Sequence, residues 1–262
     1  MSRFNLNLKW LSVASYEIER DGHTILTDPF ITEAESTPCT WESVEHCDLI
    51  TLSHLHWDHI TDIPRISEKF NYPPLLTGEL SALPLCDWGN LIPQQIFPME
   101  SNLELDFDWV KARAIFGRHV DFGECRNQLL SELMRKPFVD RAMGDMQILG
   151  TLEYRNFLFT FPDGFKLLVW GNDLSVTQKN ILRQLKPDVA IMQATRQIRS
   201  PQAFAEFVAQ FGPEVVVPHH MDLAMPYAEY LPRLEEVRKE MAGICPETEL
   251  VLPPDHGVWF EV

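Results

Sequence analysis

Apolar and polar residues alternate along LKWLSVASYEIER, Asp21-Gly22 supplies a tight turn, and HTILTDPFI returns as a second extended run, so the chain is predicted to open with a β-hairpin. The next extended segment, Cys47 to Ser53, is mostly apolar without alternation, as in a strand covered on both faces. It is followed by ITDIPRISEKF, where Ile60, Ile63, Ile66 and Phe70 recur at helical spacing, Pro64 either sits in an early turn or kinks the helix, and Pro73-Pro74 stops it. Short apolar runs then come at PLLTG, LIPQQIF, DWVKARAIF, LEYRNFLFTF, KLLVWGND, DVAIMQA and EVVVPHH, with helical spacing across Thr177 to Leu185 and in PQAFAEFVAQF. Strands first, then strands alternating with helices, predict a mixed α/β sandwich. The stretch Phe122 to Gly144 has helical periodicity where a strand-to-strand connection is due, and reads either as an inserted helical cap or as a plain surface helix. With no repeat, low-complexity tract or Gly/Ser/Pro-rich linker, residues 1–262 are expected to form one domain.

Composition narrows the function classes. Lys plus Arg number 22 against 38 Asp plus Glu, and a net charge of −16 opposes binding to nucleic-acid phosphates or an anionic membrane; a small-molecule substrate is expected, and a homo-oligomer is compatible. Solubility alone would also account for that charge. The N-terminus lacks an apolar signal-peptide core and no apolar run reaches a bilayer-spanning length, so a cytoplasmic protein is expected. Five dispersed cysteines, Cys39, Cys47, Cys86, Cys125 and Cys245, contain no C-x-x-C pair and suggest neither a disulfide framework nor a thiolate metal site.

The chemistry concentrates in Ser53-His54-Leu55-His56-Trp57-Asp58-His59, which sets three imidazoles and a carboxylate within six positions at the end of the apolar strand. In extended chain His54 and His56 project to one side, suited to sharing one ion; once the chain turns helical, Asp58 and His59 leave in another direction and can serve a second. Further ligands must come from downstream, and polar residues stand where apolar runs stop: His119, Asp173 and the pair His219-His220. His23, His46 and His256 carry no partner pattern. Arg196 and Arg199, just past DVAIMQA, are placed either to grip an anionic substrate group or on plain surface.

H-x-H-x-D-H followed by a lone His, a Gly-x-Asp and a Pro-x-His resembles the motif order of the metallo-β-lactamase superfamily over most of the chain. The phrases ILTDPF, SHLHWDH, LVWGND, LKPDVAIM and VVVPHH look like its ascorbate-6-phosphate-lactonase-like branch of metal-dependent hydrolases. The resemblance implies a four-layer αββα sandwich with the ligands on loops along one edge. It further implies His54, His56 and His119 on one ion, Asp58, His59 and His220 on a second, and Asp173 bridging both. His220 is preferred to His219 because the family spacing is Pro, one residue, His, and Pro218 fixes the count. Asp28, in the Thr-Asp-Pro turn, would support the shell by hydrogen bonding to a ligand histidine. Two departures stand out: the aspartate is offset from its glycine as Gly171-Asn172-Asp173, and the Phe122 to Gly144 segment lengthens the loop after His119.

Two divalent ions, zinc first and manganese or iron also suited to imidazole and carboxylate, would make hydrolysis by metal-activated water the default chemistry, with Asp58 as general base. The expected substrates are small lactones, esters or phosphoesters. The alternatives are a phosphodiesterase or nuclease, which the charge disfavours, and a non-hydrolytic di-iron redox or sensing protein.

Overall fold

The computed structural model describes residues 3–119, 136–171, 176–194, 200–223 and 225–262. In chain order the strands are β1 (Asn7–Ser12), β2 (Ser15–Arg20), β3 (His23–Thr27), β4 (Leu49–Thr51), β5 (Leu75–Thr77), β6 (Ile96–Pro98), β7 (Glu104–Asp106), β8 (Lys111–Gly117), β9 (Tyr154–Thr160), β10 (Lys166–Trp170), β11 (Val189–Gln193), β12 (Val215–His219), β13 (Glu249–Leu250) and β14 (Trp259–Glu261). The helices are α1 (Trp57–Ile60), α2 (Ile63–Lys69), α3 (Glu79–Gly89), α4 (Arg141–Leu152), α5 (Val176–Leu185), α6 (Pro201–Val208) and α7 (Tyr227–Ile244).

The strands form two seven-stranded sheets, ordered β14-β1-β2-β3-β4-β5-β6 and β13-β12-β11-β10-β9-β8-β7. In the first sheet β14, β1, β2 and β3 pair antiparallel and β3 to β6 parallel; in the second β7 to β10 pair antiparallel and β10 to β13 parallel. The period-two alternation of strand side chains sorts the core. In the first sheet Ile25, Leu49 and Leu76 join the packing shared with Ala112, Phe157 and Leu167 of the second, whereas their neighbours Leu26, Ile50 and Leu75 pack with Ile60, Ile63, Ile66 and Leu85 of the helices outside. Leu182, Phe204, Phe207 and Leu234 cover the second sheet from its other side. These layers are the expected αββα sandwich.

Two local departures have physical causes. LKWLSVASYEIER is two strands, because the chain reverses at Val13-Ala14, with Val13 at φ 38° and no Gly, Pro or Asn to announce the turn. Pro218 stands inside β12, where a missing N–H would normally break a ladder. The carbonyls of Glu214 and Val216 face β13 and accept from Glu249 and Val251; alternation turns Pro218 to that same side, beyond the end of β13 at Leu250, where its carbonyl takes the Tyr16 hydroxyl at 2.7 Å.

Of the expected helical segment Phe122 to Gly144, residues 122–135 lie outside the described residues. Its end is the first turn of α4, capped where the Asp140 side chain accepts from the Met143 N–H at 2.7 Å. Among the described residues no helix is long and apolar enough to cross a membrane. Cys39, Cys47, Cys86 and Cys245 are free thiols, and Cys125 lies outside the described residues.

Candidate metal centre

The C-terminal ends of β4, β8 and β12, from both sheets, converge on one edge of the sandwich. The Ser53 carbonyl accepts from the Arg155 N–H at 2.9 Å, which ties the segment after β4 to the other sheet. His54, His56 and His119 then gather so that one nitrogen of each lies within 4.8 Å of the others. The hydrogen bonds fix which nitrogen is available. The Ser53 hydroxyl donates to Asp28 Oδ2 at 2.7 Å, so at 2.9 Å it accepts from His54 Nδ1–H, leaving a lone pair on Nε2. That Nε2 is buried without a hydrogen-bond partner, an orphaned acceptor of the kind a cation satisfies. His56 Nε2–H donates to the Gln147 carbonyl at 3.2 Å, which leaves its Nδ1 lone pair on the other side of the ring.

Helix α4 holds this segment. The Gln147 side chain accepts from the Trp57 N–H at 3.0 Å and donates to the Leu55 carbonyl at 3.3 Å, standing in for a neighbouring strand. Gly150 lets the helix close in: a Cβ there would lie 2.7 Å from His56 Cδ2 and 3.0 Å from the His56 backbone nitrogen.

Asp58, His59 and His220 form a second group with the same 4.8 Å mutual reach. Asp28, held at φ 39°, accepts the Ser53 N–H at 2.6 Å through Oδ1 and His59 Nδ1–H at 2.9 Å through Oδ2, so His59 Nε2 faces Asp58 Oδ2, 3.7 Å away. The pair after β12 is ordered by a relay of tautomers. His219 Nε2–H donates to the Trp170 carbonyl at 2.9 Å; its Nδ1 therefore accepts from His220 Nδ1–H at 2.8 Å, and His220 Nε2 is left bare, 3.9 Å from Asp58 Oδ2. His220 thus joins the donor cluster and His219 orients it. The strained φ of 60° at His220 is fixed by its N–H on the Val13 carbonyl at 2.7 Å, and Val13 N–H is taken in turn by Asp222 at 2.9 Å.

Electrostatics suit metal ligation. Burial, reinforced by the neighbouring imidazoles, pushes the pKa of His54 and of His220 well below the ordinary histidine value, and burial lowers His219 to about 4; all three are neutral at pH 7. Burial also disfavours charge on His59, yet the carboxylates of Asp28 and Asp58 outweigh it and raise its pKa. Burial raises Asp58 against the pull of His59.

Asp173, Arg196 and Arg199 lie outside the described residues. His23 stacks on Trp109 at 4.6 Å and His256 on Trp10 at 4.1 Å, apart from the two groups. Supports that the sequence did not reveal include Gln147, Thr151, Asp222 and Tyr154, whose ring lies 4.7 Å from that of His54. Gly171 makes room for it: a Cβ there would come within 2.3 Å of the Tyr154 hydroxyl.

Residues 7–220 match the model of the Beta-lactamase superfamily domain. A metal-dependent hydrolase of Methanobrevibacter smithii is 26% identical over 81% of this chain and 92% of its own, and one of Aeropyrum pernix is 39% identical over 62 residues, 24% of this chain and 25% of the other. Among solved structures, the metallo hydrolase Igni18 of Ignicoccus hospitalis superposes with a TM-score of 0.69 at 16% identity, covering 98% of this chain and 99% of that one. An isothiocyanate hydrolase from Delia radicum gut bacteria gives 0.67 at 17% identity, covering 98% of both chains. With a family match spanning most of its length and the sandwich that goes with it, this chain belongs to the metallo-β-lactamase superfamily and stands among its metal-dependent hydrolases.

Proposed function

We propose that the chain hydrolyses a small lactone, ester or phosphoester at a dinuclear centre. In this reading His54, His56 and His119 hold one divalent ion, Asp58, His59 and His220 a second, and Asp173 bridges them. The supporting observation is that the two donor groups abut, with lone pairs of His54 and His220 and the Nε2 of His59 already turned inward by fixed partners. Zinc is the first expectation, and manganese or iron also suits this imidazole and carboxylate set. Ions bound there would bring a water's pKa toward neutrality and polarise the oxygen of the group under attack.

The protein's own contribution is preorganisation and proton handling. Asp28, Ser53, Gln147 and His219 hold the ligand rings before any ion arrives. The Asp58 carboxyl, raised by burial and flanked by two imidazole nitrogens, is suited to take a proton and return it to the leaving group. A net charge of −16 supports a small substrate over a nucleic acid.

The test uses protein stripped by chelation and reloaded with zinc, manganese or iron, assayed on 4-nitrophenyl esters, lactones, isothiocyanates, phosphomonoesters and phosphodiesters. Turnover of an ester, lactone or phosphomonoester that needs reloading and is lost in His56→Ala is expected. Turnover that survives chelation, or cleavage confined to phosphodiesters, contradicts the proposal.

A further inference from the structure

Beside the donor groups the chain leaves a cavity of about 300 Å³. Its walls continue into the machinery of the centre: Trp57 lies between His56 and Asp58, Val13 accepts the His220 N–H, and Asp222 follows His220 by two residues. Much of the lining is apolar. Phe30 stands edge-on to Trp57 at 4.9 Å, Ala34 and Met225 add aliphatic surface, and Leu223 is left 42% exposed, an apolar side chain held at the surface beside a cavity.

The charges on the lining point to what it excludes. Asp222 is buried and engaged by Val13 N–H at 2.9 Å, Ser36 Oγ–H at 2.8 Å and His256 Nε2–H at 3.0 Å. Glu33 and Glu35 add two more carboxylates, and among the described lining residues Lys136 is the one cation, already paired with Glu35 at 2.8 Å. An anionic substituent would enter beside carboxylates with no unpaired cation among the described lining residues to meet it, whereas an uncharged apolar one would meet aromatic and aliphatic walls.

We propose that this cavity is the substrate subsite for an uncharged, apolar substituent, so that the centre works on neutral esters or lactones and disfavours substrates whose substituent carries negative charge. The proposal rests on the hydrolase reading above for the reaction, but not for the binding.

Equilibrium dialysis of 4-nitrobenzyl alcohol and 4-nitrobenzoate against the purified protein, before and after chelation, separates the two. After chelation the alcohol should bind at least about tenfold tighter than the carboxylate. Ala34→Phe, which fills the cavity, should weaken the alcohol about tenfold, and Leu223→Arg, at an exposed position that folding tolerates, should narrow the preference. Equal or tighter binding of the carboxylate after chelation, or alcohol binding unchanged in both variants, overturns the subsite. If the alcohol behaves as expected while no ester, lactone or phosphomonoester is turned over, the hydrolase reading fails and the subsite stands. If turnover occurs but the alcohol binding ignores both variants, the reverse holds.

Discussion

His219 and His220 are chain neighbours with opposite duties, and the difference lies in one proton. Because the Trp170 carbonyl can only accept, His219 must present its Nδ1 lone pair to His220, which fixes the tautomer of the next ring. His219→Ala removes that acceptor while leaving every donor of the cluster in place. Metal affinity should fall about 10- to 100-fold, as for other partners of ligand histidines, while His46→Ala leaves it unchanged; a competitive chelator titration reads both. Asp28→Asn should act similarly through His59, since an amide oxygen holds the Nδ1–H less firmly than a carboxylate does. Equal affinity in wild type and His219→Ala would remove the relay from the account. The donors themselves were legible in the sequence because His54, His56, Asp58 and His59 crowd a few positions. Their partners were not: Gln147 meets His56 across 91 positions, and no local pattern encodes that approach.

At the scale of elements, α4 positions the centre through a glycine. Gly to Ala inside a helix ordinarily stabilises by roughly 0.5–1 kcal/mol. Gly150→Ala should do the opposite, since its Cβ would press on the His56 backbone and ring, and overpacking of this kind costs about 1–3 kcal/mol. A lower denaturant midpoint with weakened metal binding is expected; a raised midpoint would show that α4 can shift away freely. The apolar runs announced most strands, because buried parallel strands such as β11 and β12 are continuously apolar. The reversal at Val13-Ala14 lacked turn residues, and α3 and α7 carry internal prolines, Pro84 and Pro232, that mask helical periodicity. The pairing of β14 with β1, Asn7 opposite Glu261, closes the first sheet from the far end of the chain and has no local signature.

Across the whole molecule, two half-antiparallel, half-parallel sheets bring the ends of β4, β8 and β12 to one edge, which is why ligands spread from His54 to His220 can meet. Concentrating buried imidazoles there has a cost without metal. His54, His219 and His220 have folded pKa values below the ordinary histidine value, so as pH falls through about 6.5 toward 4 the unfolded chain binds protons that the folded chain refuses. His59, raised by its carboxylates, and Asp58, raised by burial, oppose the trend as two groups against three. Chelated protein should therefore show a lower denaturant midpoint at about pH 5.5 than at about pH 7.5, and a higher one would contradict this balance. Metal should restore the loss with the logarithm of its concentration over its dissociation constant. The most direct measurement is the metal content of protein purified without added metal, taken by mass spectrometry on wild type and His56→Ala together. Close to two ions per chain in the wild type, with most of that binding lost in the variant, is the expected result; one ion or none in the wild type, or two retained without His56, would contradict the dinuclear centre.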